Sequence, residues 1–164
     1  MIKYIEGDIT KPINNNPKII PHICNTFGMW GKGVVIPIGN KWPIARETFL
    51  NTDNHVLGRV QFVAVDEGLY VANMIAQPYL IRAKRLTIDA RYNQKEFDYA
   101  ALETCLETVA NYARPKGYEI HMPRIGTGLA AGDWELIEPI IEKTCKDLNV
   151  YVYDYNGDEP NAGV

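Results

Sequence analysis

Apolar and polar residues first alternate in short runs, and later the apolar ones recur every three or four positions, so strands and helices take turns along the chain. "IKYIEGD" reads as an opening strand that stops at Gly7-Asp8, and "KIIPHIC" packs Ile19, Ile20, Ile23 and Cys24 into a run suited to a sheet interior. From Gly33 to Leu50 the pattern is helical in two pieces, because Pro37 and Pro43 each suit a first turn and interrupt anything longer. "GRVQFVAVD" and "LYVANMIAQ" predict a strand hairpin with Glu67-Gly68 at its turn. No period is sustained from Pro78 to Gln94, which reads as a long loop, a feature that compact domains keep where it is functional or mobile. "KEFDYAALETCLETVANYAR" carries Phe97, Ala101, Leu102, Cys105, Leu106 and Val109 at helical spacing, ending near Pro115 and Gly117. "YEIHMPRIG" predicts a strand, "DWELIEPIIEKTCKDL" a helix capped by Asp133, and "NVYVYDY" a last alternating strand.

This order is that of an α/β layered sheet. With 164 residues, 46% hydrophobic and 23% charged, the chain fits one domain over 1–156, followed by a short polar tail at 157–164. Cys24, Cys105 and Cys145 are far apart and form no C-x-x-C pair, which excludes a disulfide framework and a zinc site and points to a reducing, cytoplasmic setting. No leader-like segment opens the chain, and no apolar run approaches the roughly 20 residues that cross a bilayer, so no membrane is expected. A formal net charge of −3 gives no broad basic footprint for nucleic acid. The one dense basic cluster, "RAKRL" at 82–86, reads as a solvated loop ahead of a binding surface.

Sheets of this class hold ligands beyond the carboxyl ends of their strands. Glycines fall there twice, in "CNTFGMWGKG" after the second strand and in "RIGTGLAAGDW" after the fifth. Lacking a Cβ, such loops let backbone N–H groups converge on an anion beside a helix N-terminus. Either loop alone reads as a tight turn, whereas the pair suits a pyrophosphate held from two sides. "GMWGKG" lacks the G-x-x-x-x-G-K-[ST] spacing of a P-loop. "GTGLAAG" has one residue too many before its last glycine for a dinucleotide fingerprint, which leaves an NAD-dependent oxidoreductase poorly supported.

"EGDIT", "HICNTFGMWGKGVV", "MPRIGTGLAAGDW" and the closing "VYVYDY" together resemble a macrodomain, the ADP-ribose-binding fold, in the family's order and from Ile2 to Tyr155. The resemblance implies a three-layer α/β fold with a central mixed sheet flanked by helices. It is greatest to the stand-alone branch of ADP-ribose 1″-phosphate phosphatases and terminal ADP-ribose glycohydrolases. It implies that Asp8 accepts a hydrogen bond from the adenine amino group beside the Ile9 amide, and that Asn25 holds the distal ribose. Gly31, Lys32, Gly33 and Val34 match the first phosphate and ribose loop. Ile125, Gly126, Thr127, Gly128 and Leu129 match the loop around the pyrophosphate, and Tyr153 or Tyr155 would lie near the adenine. Trp30 is then a wall, a hinge or a core filler. The implied partners are ADP-ribose or its derivatives and ADP-ribosylated protein or nucleic acid, with no metal or cofactor; oligomeric state is not legible.

Reactions at such a site remove a group from the distal ribose and need an activated water or nucleophile there. The glycohydrolase branch resembles a mechanism with a lysine nucleophile ending the "NMIAQ" strand and an aspartate after the second loop's leucine. Gln77 and Ala130 stand at those positions, which argues against that mechanism and leaves Gln77 to hydrogen-bond the ribose. Asp133 reads as a general base or as a helix cap, His22 as an acid or base or as a core residue, and Lys32 as a cation for transferred phosphate or as an exposed loop residue. Cys24 reads chiefly as a buried thiol, since a nucleophile there needs a nearby cation or helix N-terminus. His55 and His121 show no partner spacing. The expectation is a hydrolase at the 1″ position using positioned water, with His22, Asn25 and Asp133 as its catalytic set. The alternative is a non-catalytic reader or sponge of ADP-ribose or a related nucleotide signal. A valine at Gly126 is expected to block the diphosphate path without harming the fold.

Overall fold

Strand β2 (Lys18–Asn25) is buried at every position except Asn25, because it has neighbours on both edges and helices on both faces. The computed structural model describes residues 2–128 and 130–155, so Leu129 and the tail at 157–164 lie outside the described residues. The other elements are β1 (Ile2–Glu6), α1 (Val35–Lys41), α2 (Pro43–Leu50), β3 (Val60–Asp66), β4 (Leu69–Gln77), β5 (Tyr79–Arg82), β6 (Arg85–Ile88), α3 (Tyr99–Ala113), β7 (Glu119–Pro123), α4 (Trp134–Thr144) and β8 (Val150–Asp154). Six strands form a mixed sheet in the order β1-β8-β7-β2-β4-β3, parallel throughout except for edge strand β3. The expected three-layer α/β architecture is the one observed. No described helix is long and apolar enough to cross a membrane.

Strand alternation divides the core in two. Ile19 and Ile23 of β2, Ala72 and Met74 of β4, and Ile120 and Met122 of β7 pack under α3 and α4 with Leu102, Leu106, Val109 and Ile137. Ile20, Cys24, Val71 and Ile75 point the other way, onto Val35, Ile38 and Phe49 of the shorter helices α1 and α2 and onto Trp42 between them. The strand-borne buried polar residues Lys18, His22, Asn73, Glu119 and His121 share the parity of this second face. Two helices of seven and eight residues do not cover that face, and segment 10–17 covers part of it with backbone that needs hydrogen-bond partners.

Two expectations are corrected. The stretch Pro78–Gln94 contains the β5–β6 hairpin, paired from Tyr79 with Ile88 to Arg82 with Arg85. Its turn residues Ala83 and Lys84 adopt φ of 48° and 64° without the glycine or asparagine that normally signals such a turn. Helix α3 starts at Tyr99, later than the periodicity suggests, because the Asp98 carboxylate accepts the Ala101 N–H at 2.8 Å and caps it there.

Gly39 of α1 allows close packing. A Cβ there would stand 2.7 Å from Trp30 Nε1, and the Trp30 ring is held between His22 and Phe49. Gly39→Ala is expected to destabilise the fold by about 1–3 kcal/mol through overpacking, seen as a lower urea midpoint. An unchanged midpoint would show that Trp30 moves freely.

Candidate functional site

β2 and β4 run parallel, and their register shifts between Cys24 and Asn25 so that Asn25 pairs with Gln77. The Asn25 side chain folds the following turn: Oδ1 accepts the N–H groups of Phe27 at 3.0 Å and Met29 at 3.1 Å, and Nδ2 donates to Met29 O at 2.8 Å. One N–H of that amide is left over. Gly28, at φ 73°, lies so close to the His55 ring that a Cβ would be 2.7 Å from it, and Arg91 donates to Thr26 O at 3.1 Å. The turn is therefore fixed before the exposed Gly31 and Lys32 begin.

Two cavities flank the β2–α1 loop. One, of about 170 Å³, is lined by Asn25, Gly31, Lys32, Gln77 and Gly126, with Cys24 in its wall and Leu80, Ile81 and Arg82 of the hairpin on its border. The other, of about 270 Å³, is lined by Asp8, Ile9, Val34, Tyr153 and Tyr155. Oδ1 of Asp8 accepts from Thr10 N at 2.9 Å and Thr10 Oγ1 at 2.7 Å, which leaves Oδ2 as an acceptor. Gln77 Nε2 donates to Tyr79 O at 2.9 Å, which likewise leaves its Oε1 as an acceptor.

A buried chain of hydrogen bonds stands behind the second cavity. The Glu119 carboxylate takes the His121 Nε2–H at 2.9 Å and is also bonded by Asn14 at 3.1 Å and Asn16 at 3.0 Å. His121 Nδ1 therefore accepts the Tyr153 hydroxyl at 2.7 Å, and that oxygen accepts the Ile13 N–H at 2.9 Å. Burial lowers the His121 pKa, against an opposing pull from Glu119, and pushes Tyr153 up to about 12, so both stay neutral at physiological pH. Tyr153 thus holds Ile13 against the sheet, while Glu119 holds Asn14 and Asn16.

No family profile matches the chain. A macrodomain protein from Streptomyces coelicolor, however, is 35% identical, with 94% of this chain and 99% of that one covered at a TM-score of 0.75. The chain is a macrodomain. A protein of unknown function from Bacteroides thetaiotaomicron is 41% identical, with coverages of 94% and 98% and a TM-score of 0.81. The ADP-ribose 1″-phosphate phosphatase of Scheffersomyces stipitis is 25% identical over 93% of this chain and 99% of its own.

In this macrodomain the three expected catalytic residues do not gather. His22 is fully buried and touches neither cavity. Asn73 donates to Ala45 O at 3.2 Å and Gln61 Oε1 at 3.3 Å, so its Oδ1 faces His22 Nε2–H at 2.6 Å. Burial pushes the His22 pKa down to about 4, despite that hydrogen bond. Cys24 Sγ lies 3.9 Å from His22 Nδ1, which gives the Cys, His and Asn composition of a nucleophilic triad. Burial raises the thiol pKa well above its ordinary value, however, and both groups stay neutral. Asp133 accepts the Glu135 N–H at 2.9 Å as the cap of α4, and its own N–H goes to the Tyr99 hydroxyl at 2.9 Å. It lines neither cavity. Among the expected catalytic residues only Asn25 reaches a cavity.

The loop residues sort similarly. Trp30 and Ile125 are core residues, and Gly33 makes a positive-φ turn at 81°. Thr127 Oγ1 donates to Arg124 O at 2.8 Å, and Gly128 O accepts Ala131 N–H at 3.0 Å, so the second loop is folded upon itself. The expectation for Gly126 is corrected: a Cβ there would stand 3.1 Å from Ile137 and Phe97, so a valine would enter the core before any ligand path. Leu129 lies outside the described residues. The sequence reading missed the hairpin border, although "RAKRL" marked its place. Among the described residues no cluster of His, Cys, Asp or Glu is arranged to hold a metal ion.

His22 gives stability a pH dependence. Between the ordinary histidine value of 6.5 and about 4, an unfolded chain takes up a proton that native His22 refuses. Its contribution is complete above 6.5 and is lost as pH falls to about 4, a change of about 3 kcal/mol. The urea midpoint is expected to fall over that window, and His22→Gln should flatten the fall. An equal slope in the variant would contradict the assignment.

Proposed function

We propose that this macrodomain binds ADP-ribose and hydrolyses the substituent at its 1″ position, with ADP-ribose 1″-phosphate or ADP-ribosylated macromolecules as substrates. The observation that carries the reading is the pair of cavities separated by one glycine loop, with Asp8 in one and Asn25 and Gln77 in the other. A ligand with a base at one end, a sugar at the other and a diphosphate between them matches that layout. The yeast relative named for ADP-ribose 1″-phosphate phosphatase activity favours turnover over a non-catalytic reader.

In this reading Asp8 Oδ2 accepts the adenine amino group between Ile9 and the tyrosines. Backbone N–H groups of Gly31 to Val34 serve the diphosphate, with the Gly126–Gly128 backbone on its other side. The spare Asn25 N–H and Gln77 Oε1 orient the distal ribose and the attacking water. Gln77 is not nucleophilic, the Cys24 thiol stays protonated and Asp133 caps a helix, so water attacks and the enzyme contributes orientation and electrostatics. Three free, buried cysteines suit a reducing cytoplasm, and the domain is assigned to 1–156 ahead of a tail at 157–164.

Asp8→Ala is expected to weaken ADP-ribose binding about tenfold, the loss of one hydrogen bond to a charged group, with far less effect on ribose 5-phosphate. Equal losses by calorimetry would remove adenine from that cavity. A Cβ on Gly31 meets nothing within 4 Å, so Gly31→Val should keep the urea midpoint while abolishing measurable ADP-ribose binding. Retained affinity would place the ligand elsewhere. Phosphate release from ADP-ribose 1″-phosphate by the wild type tests turnover, and binding without release would leave a reader.

A further inference from the structure

We infer that the β5–β6 hairpin supplies an anion subsite, centred on Arg82, that receives a phosphate monoester on the distal ribose and selects for it. The inference rests on the ADP-ribose reading and goes beyond it by choosing among the substituents. The two cavities differ in charge. The one holding Asn25 is lined by Lys32 and Arg82 and, among the described residues, by no carboxylate. The one holding Asp8 is lined, among the described residues, by no lysine or arginine. The cations therefore stand at the sugar end, beyond the diphosphate that the glycine loops between the cavities serve.

Lys32, Arg82, Lys84 and Arg85 are all exposed, and none forms an ion pair or side-chain hydrogen bond with another described residue. In a chain with 20 acidic and 17 basic residues, Lys32 and Arg82 in the cavity lining, with Lys84 and Arg85 next along the hairpin, make a local field opposite to the net charge. The hairpin is also held in place. Its first residue, Tyr79, is buried, donates its hydroxyl to Ala130 O and accepts Gln77 Nε2, while Asp89 N–H closes onto Pro78 O at 2.9 Å. Arg82 thus ends β5, a strand anchored to the second loop, five residues after the proposed ribose contact Gln77. A guanidinium is the side chain best matched to a phosphate, since its planar fork donates two parallel hydrogen bonds and stays charged at every relevant pH.

The test compares two ligands on wild type, Arg82→Gln and Arg82→Lys, with the urea midpoint as a folding control. For ADP-ribose the inhibition or dissociation constant is measured. For ADP-ribose 1″-phosphate the measure is KM for phosphate release, or Kd where none is released. The preference for the phosphorylated ligand is expected to fall about tenfold in Arg82→Gln, with partial recovery in Arg82→Lys and weakening at high salt. Equal losses for both ligands would assign the guanidinium to the diphosphate and overturn the inference, as would no loss. If wild type failed to bind ADP-ribose, the underlying reading would fall first and this one with it.

Discussion

The parallel pairing of β2 with β4, and its one-residue shift at Cys24 and Asn25, is the constraint on which the rest depends. Up to Cys24 the ladder is regular, both faces are covered and β2 carries the centre of both cores. At the shift the strand stops behaving as core. Asn25 turns its amide onto the backbone of residues 27 to 29, and Gln77 comes beside it from the neighbouring strand. A site there is rigid because strand hydrogen bonds hold it from below and a side-chain amide holds it from within.

The two faces of the sheet divide the work. The strand residues buried under α3 and α4 are apolar, and this face supplies burial. The α1–α2 face carries the strand-borne buried polar residues, and these are bonded: Lys18 to Asn14 and Asn16, His22 to Asn73, Asn73 to Ala45 and Gln61, and His121 to Glu119 and Tyr153. These pairs stay neutral or share charge over short distances, so they limit the cost of burying polar groups. They also tie the loops to the sheet, since Ile13 hangs from Tyr153 and Asn14 and Asn16 from Glu119. Function at the loop tips thus depends on packing well below them.

Much of this was legible in the sequence. The apolar residues Ile19, Ile20, Ile23 and Cys24 of β2 and the glycine cluster after them located the sheet centre and the loop that follows, because both signals are local. The roles of His22 and Asp133 were not decided, because each depends on a distant partner: Asn73 is 51 residues from His22, and Tyr99 is 34 from Asp133. Gly126 misled for a geometric reason. A glycine at φ 75° shows that a side chain is unwelcome without showing on which side, and here the obstruction is the core. The β5–β6 hairpin was missed because Ala83 and Lys84 take positive φ without the residues that usually mark it.

On the proposed reading the two cavities hold the two ends of one ligand. Calorimetric titration of the wild type with ADP-ribose, repeated in the presence of saturating AMP and then of saturating ribose 5-phosphate, tests it most directly. One-to-one binding that is weakened by each fragment separately is expected. Binding left untouched by either fragment, or no binding of ADP-ribose at all, would contradict it.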